Sequence, residues 1–299
     1  MKKISSLKRF CILLTVLMLA FSSGAAFADD MIKIGVLALR GPEKAMSQWL
    51  PTAEYLSEKI GKQVRIQPLK FTEVPIFLKG KKVDFFLVNS SMFADMKNQF
   101  GGEAIASLIN SRQGKALNQF GGVIFVKADS PIQSLADIKG KTFMAVKKSS
   151  FGGYQMAQRL LLQNGIDPEK DTKLFKEGGT HDMVVDMVSK GVIEVGTVRS
   201  DTLERMTAEG KADMTKLRIL NAQKDDFPFV RSTELYPEWP MVATVDTDPA
   251  LVAQVKEALL AMPSDSPAAK AAKIVGWSAP LDYKVVEDCM KELKFGSFK

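Results

Sequence analysis

Apolar positions along this chain switch repeatedly between a strand-like period and a helix-like one, and Gly, Pro or hydroxyl residues mark each switch. Met31-Ile32-Lys33-Ile34-Gly35-Val36-Leu37 reads as a strand and ends in Ala38-Leu39-Arg40-Gly41-Pro42. Ala45, Met46, Trp49, Ala53, Leu56 and Ile60 then recur at helical spacing, with a break expected where Leu50 precedes Pro51 and an end at Gly61. A strand over 64–69, a short helix over 74–79 and a nearly continuous apolar strand over 83–88 follow. This alternation predicts an α/β fold.

The pattern resumes after a strand at 121–127 and a passage, residues 128–141, that leads into a second domain. There the spacing predicts a strand over 142–146, a helix over 154–163, a helix over 183–190 opened by Thr180 or Asp182, and a strand over 193–199. Ser200 is the expected cap of the next helix. Residues 232–240 are too rich in proline for a helix and read as a return crossing, followed by a strand over 241–245. A helix over 249–262 and segments at 268–275 and 283–293 complete the first domain.

Ligands in such sheets collect beyond the carboxyl ends of strands. Three kinds of turn stand there. Lys148-Ser149-Ser150-Phe151-Gly152-Gly153-Tyr154 lies between a strand and a helix start, where free N–H groups and the helix dipole favour an anion. Ser149 and Ser150 add donors, and Gly152 and Gly153 let the backbone approach closely. Leu39-Arg40-Gly41 and Asn89-Ser90-Ser91 occupy equivalent positions in the first half. Ordinary capping and turn chemistry accounts for the same residues, so each turn alone leaves both readings open.

Composition narrows the setting. Residues 1–28 carry Lys2, Lys3, Lys8 and Arg9, an apolar run from Cys11 to Phe21 and the small-x-small ending Ala26-Phe27-Ala28, the layout of a secretory signal peptide cleaved near Asp29. The formal charge of +7 falls to about +3 once those four cations are removed. Lys and Arg are scattered among acids, with no basic-aromatic stripe, so a nucleic-acid partner is not indicated. Cys289 is then the one remaining cysteine, which excludes an internal disulfide and any site needing several thiolates, and its helical setting reads as a small buried hydrophobe. With 46% hydrophobic residues the mature chain suffices for two cores. No His/Asp/Glu cluster has metal-ligand spacing, and no cofactor is expected.

Taken in order, Ile34-Gly35-Val36-Leu37, Val83-Asp84-Phe85 with Asn89-Ser90, Ser130-Pro131-Ile132 through Asp137-Ile138-Lys139-Gly140-Lys141, Ser150-Phe151-Gly152-Gly153 and Thr180-His181-Asp182 resemble the periplasmic phosphate/phosphite/phosphonate-binding proteins of ABC importers. The resemblance spans essentially the whole mature chain. It implies a type II periplasmic-binding fold: two lobes, each a mainly parallel sheet flanked by helices, joined by two crossing strands and closing on a ligand. Lobe 1 then takes residues 29–122 and 241–299, and lobe 2 takes 123–240 with the hinge segments.

Carried over, Ser149 and Ser150 with the N–H groups of Phe151 and Gly152 become the anion clamp. His181 matches the family histidine, and Asp201 matches an acidic position that can contact a ligand amino group. The turn has two hydroxyls where the family has a run of three, and Phe93 stands where a tyrosine is expected. Arg40-Gly41-Pro42 with Trp49, Val198-Arg199-Ser200-Asp201, and Thr233 through Pro240 look more like a sister subgroup that includes sensor domains of histidine kinases for sulfur oxoanions such as tetrathionate. Arg40 and Arg199 could each fork onto an oxyanion, and either could equally form a surface ion pair.

Three functions compete. The first is a periplasmic solute-binding protein, expected as a monomer, that closes Arg40, Asn89 and Ser90 of one lobe onto Ser149, Ser150, His181 and Arg199 of the other and delivers an oxyanion to an ABC permease. The second is an enzyme with His181 as base, for which no nucleophile motif is present. The third is a sensing partner of a membrane kinase; with no kinase or membrane-spanning segment up to Lys299, signalling would pass through another polypeptide.

Overall fold

The computed structural model describes residues 31–299, so the signal-peptide reading of residues 1–28 lies outside the described part. The chain builds two mixed sheets joined by a short two-stranded ribbon. It begins with β1 (Ile32–Leu37), α1 (Pro42–Ile60), β2 (Val64–Leu69), α2 (Val74–Lys79), β3 (Phe85–Leu87), α3 (Ser90–Phe100) and β4 (Glu103–Arg112). The strands β5 (Lys115–Leu117) and β6 (Gln119–Phe120) lead out of the first sheet. The second lobe contains β7 (Gly122–Lys127), β8 (Thr142–Ala145), a π-helical turn (Phe151–Gln155), α4 (Met156–Gln163), β9 (Leu174–Glu177), α5 (His181–Ser189), β10 (Val195–Arg199), α6 (Thr202–Ala208) and β11 (Leu217–Leu220). The chain returns through β12 (Tyr236–Pro237) and ends with β13 (Pro240–Ala243), α7 (Pro249–Leu260), α8 (Pro267–Ala272), β14 (Ile274–Ser278) and α9 (Lys284–Glu292).

The first sheet has the order β14-β4-β13-β3-β1-β2, with β5 on β4; the second has the order β11-β7-β10-β8-β9. Only β1 with β2 and β3, and β8 with β9 and β10, run parallel. The sheets are therefore mixed, not mainly parallel as the alternation suggests. The strands that flank the crossings, β4, β7 and β13, make antiparallel pairs only, and β7 and β13 enter straight from the crossing strands with no helix before them. Between the sheets the two crossings pair with each other, Tyr236 opposite Phe120 and Pro237 opposite Gln119. That ribbon is the natural pivot.

Each sheet carries apolar clusters on both faces. One of them spans the joint: Phe151 and Met156 from the second lobe share a cluster with Phe120, Tyr236, Tyr283 and Cys289. Cys289 is wholly buried there, as its helical setting suggested. One local expectation fails. The helix α1 runs through Pro51 without a break, because Trp49, Thr52, Ala53 and Leu56 are buried on both sides of the proline and packing holds the helix together. Asn89-Ser90-Ser91 follows the capping reading: it opens α3, with Asn89 as its cap. No helix among the described residues is long and apolar enough to cross a membrane.

Candidate functional site

The residue types that could bind an anion gather where β10 ends against the crossing ribbon. Arg199 closes β10, and its Nη2 donates to Glu238 Oε1 at 2.8 Å while its Nε donates to Asp201 Oδ1 at 3.1 Å. Its guanidinium lies over the Phe120 ring, 4.3 Å from the centroid, a cation–π contact with a residue of the crossing strand. Burial disfavours the Arg199 charge, but Glu238 and Asp201 outweigh it and hold its pKa above the ordinary value. Arg199 is thus cationic and rigidly held.

Ser200 departs from its expected role as a cap. The helix α6 starts at Thr202, one residue later than a Ser200 cap would place it, and Ser200 Oγ instead accepts from the Gly121 N–H at 3.1 Å. Asp201 holds the cap position in a left-handed conformation, φ 73°, yet makes no capping bond. Its carboxylate turns to the arginines.

His181 is the first residue of α5, whose cap is Thr180, accepting from the Met183 N–H at 3.2 Å. Its Nδ1 accepts from the backbone N–H of Arg199 at 3.3 Å, which leaves the ring proton on Nε2. Burial, and then the Arg199 charge, push the His181 pKa down to about 3. The imidazole is therefore neutral near pH 7 and acts as an N–H donor.

Two residues of the cluster were not singled out from the sequence. Arg112, at the end of β4, faces Asp201 from the first lobe with Nε 3.7 Å from Oδ2. Its Nε is buried with no hydrogen-bond partner, and Nη2 reaches only Asn110 Oδ1 at 3.4 Å. Burial, and then Arg199, lower its pKa. Glu238, on the return crossing, is fully buried, with Oε2 unpartnered and its backbone carbonyl accepting from Tyr283 Oη at 2.7 Å. Arg40 is exposed on the loop after β1 and lies close enough to act electrostatically on both Arg112 and His181. Two guanidiniums thus meet two carboxylates beside a neutral imidazole, with Arg40 in electrostatic range and contributions from both lobes.

The serine and glycine turn abuts this cluster. A Cβ on Gly152 would stand 2.6 Å from Phe120 Cε2 and 3.0 Å from Arg199 Cβ, so only glycine fits between them. The turn forms a single π-helical winding before α4, whose first N–H groups have no acceptor within it. Ser150 makes no capping bond. Phe151 is buried edge-on to Tyr236 with centroids 5.0 Å apart, and the N–H of Val146 donates to Gly153 O at 3.2 Å. Ser149 and Ser150 remain partly exposed beside this fixed backbone.

Asn89 and Ser90 are committed elsewhere. Asn89 Oδ1 accepts from the Met92 N–H at 2.8 Å and from Ser91 Oγ at 3.0 Å, and Ser90 Oγ donates to Pro237 O at 2.7 Å. Ser90 braces the crossing strand, and Asn89 Oδ1 caps its own helix. Phe93 packs edge-on against Tyr283, centroids 4.8 Å apart, whose hydroxyl bonds Ser107 and the Glu238 carbonyl. Among the described residues no group of three or more His, Cys, Asp or Glu is placed to hold a metal ion.

Two α/β lobes on a paired crossing ribbon define a periplasmic solute-binding protein of type II fold. The chain belongs to the family of periplasmic substrate-binding proteins of phosphonate ABC transporters, which it matches over residues 34–284. That family is extracytoplasmic and binds solutes. The chain is also 31% identical over 263 residues to the tetrathionate sensor histidine kinase TtrS of Salmonella typhimurium. The match covers 87% of this chain and 43% of the kinase, so the chain spans less than half of this curated relative. Solved structures share the fold. XAC2383 from Xanthomonas citri, bound to ATP, has a TM-score of 0.71 at 19% identity, covering 89% of this chain and 98% of that one. PhnD1 from Prochlorococcus marinus, in complex with methylphosphonate, has a TM-score of 0.66 at 16% identity with coverage of 89% and 98%.

Proposed function

We propose that the protein captures a small oxyanion, phosphate, phosphite or phosphonate-like, between its lobes in the periplasm and delivers it to an ABC permease. In this reading the lobes are residues 29–122 with 241–299 and residues 123–240, moving about β6 and β12. The observation that carries it is the approach of Arg112 from one lobe to the Asp201 that holds Arg199 on the other, beside the neutral His181, with Arg40 in electrostatic range of Arg112 and His181. Asp201 and Glu238 offset two of the three positive charges, so the cluster keeps a net positive charge in a partly desolvated setting. The turn from Ser149 to Gly153 adds N–H and hydroxyl donors alongside Arg199. Such a site holds an anion without transforming it.

The likeness to the tetrathionate sensor favours a second reading, a sulfur oxoanion ligand and a membrane kinase as partner. Thermal shifts with phosphate, phosphite, methylphosphonate, sulfate, thiosulfate and tetrathionate test both readings. A ligand at a hundredfold excess over its Kd should add about 2.7 kcal/mol of stability. Stabilisation by a phosphorus oxyanion supports the first reading, and stabilisation by tetrathionate alone supports the second. A flat response to the whole panel sinks the oxyanion assignment.

A further inference from the structure

Arg112 and Asp201 meet across the lobes in an unusual way. The separation of 3.7 Å is too long for a hydrogen bond, and Arg112 Nε is enclosed without any partner. The side chain of Gln113 makes a second weak crossing contact, donating to Asp201 O at 3.5 Å. Asp201, for its part, occupies the cap position of α6 with φ 73° and leaves the cap unmade. An aspartate there would ordinarily accept from the first-turn N–H groups. Here Oδ1 serves Arg199 and Oδ2 faces Arg112.

Resting on the oxyanion reading above, we infer that Arg112 is the first-lobe residue that grips the ligand, and that the ligand takes it over from Asp201. A carboxylate held at ion-pair distance supplies charge but no fork. A tetrahedral oxyanion supplies two oxygens on one edge, which match the parallel N–H groups of a guanidinium. Asp201 keeps Arg199 after the exchange, because that contact is a true hydrogen bond at 3.1 Å. Asp201 is then a selector. It competes with any anion for Arg112, so ligands able to form the forked contact displace it and point-like anions such as chloride do not.

Titration calorimetry with phosphate, methylphosphonate and tetrathionate as probes, on the wild type, D201N, R112K, R112Q and the D201N/R112Q double variant, tests the exchange. Asparagine tolerates the left-handed conformation at 201, so D201N should fold, and the melting temperature of each variant checks this. D201N should bind the wild-type ligand about tenfold more tightly, R112K should bind it more weakly and R112Q about a hundredfold more weakly. In the R112Q background the gain from D201N should shrink to a small residue. Chloride competition should rise in D201N. Unchanged or weaker binding by D201N, or a full gain persisting without Arg112, overturns the exchange while leaving oxyanion capture intact. If neither the wild type nor D201N binds any probe, both fail together. Should R112Q not fold, D201N and R112K decide.

Discussion

Arg199 is bound to Glu238 across the joint between the lobes, Nη2 to Oε1 at 2.8 Å, with the carboxylate fully buried. Glu238 directly follows β12, whose Tyr236 pairs with Phe120, and Phe120 in turn lies under the Arg199 guanidinium. One arginine therefore touches both crossing strands and the ligand cluster. In the proposed function, a ligand that shifts Arg199 would also act on the paired crossing strands.

Removing Glu238 should be costly for this reason. Glu238→Ala leaves Arg199 with Asp201 alone in a buried setting, and deleting one member of such a pair costs about 3 kcal/mol. Glu238→Gln keeps an accepting oxygen and should lose less. Urea unfolding of the two variants gives the comparison; equal stability of wild type and Glu238→Ala would show that the pair does not hold the hinge.

Gly152 should tolerate no side chain. An alanine Cβ would meet Phe120 at 2.6 Å and Arg199 Cβ at 3.0 Å, and neither neighbour is free, since the ring is pinned in the crossing strand and the arginine by two carboxylates. Overpacking of this kind costs about 1–3 kcal/mol. Gly152→Ala should lower the melting temperature and weaken anion binding together. Gly140→Ala, at a turn where the Cβ meets nothing, should keep anion binding and carry only the backbone cost of its φ of 73°.

Much of the framework was legible because local pattern and packing agree. The segments read as β1, β2 and the apolar run of β3 recur as strands, β1 and β3 largely buried, and Gly61 ends α1 in the left-handed conformation. Pro51 misled because local geometry argues for a break while the buried stripe on both sides supplies the opposing energy. The site was less legible. His181, Arg199, Asp201 and Gly152 come together with Arg40 in electrostatic range, while Ser90 bonds the crossing strand and Asn89 Oδ1 caps its own helix. Arg112 ends a strand, Glu103 to Arg112, that is buried at its centre and polar at its ends like many others, and its meeting with Asp201 depends on the lobe crossing. The one local clue to Glu238 was its place between Pro237 and Pro240 on the return crossing.

His181 should make stability fall in acid. The folded state holds its pKa at about 3, against an ordinary value of 6.5, so between those values the unfolded chain binds a proton that the folded protein does not. Stability then rises with pH across this window: the contribution is fully present above about pH 6.5 and is lost progressively as the pH drops toward 3. Because the chain has a single histidine, its ring resonances are assignable at once. They should stay in the neutral form down to pH 5, and His181→Gln should flatten the pH dependence of unfolding between pH 7 and 5. Titration of the ring near pH 6.5 in the folded protein would contradict the buried, neutral assignment.

Arg159 ties the back of the joint together. From α4 it donates Nη1 to Glu234 and to the Tyr236 hydroxyl, and Nη2 to Glu292 of α9 at 2.6 Å, where Gln163 adds a bond of 2.8 Å. The hydrogen bond donated to Glu292 outweighs burial and raises the Arg159 pKa. Glu234 and Glu292 are each about half exposed, so water can take over much of their share, and Arg159→Met should cost only about 1 kcal/mol of stability. The larger effect should be on lobe geometry, because α9 packs on the first lobe while α4 belongs to the second. Spin labels on α1 and α5 should report a broader distance distribution in Arg159→Met than in the wild type. High salt, by screening the exposed side of the network, should move the wild type part of the way toward the variant. Identical distributions in the two proteins at low and high salt would mean that the apolar cluster around Phe151 and Tyr236 alone sets the lobe angle.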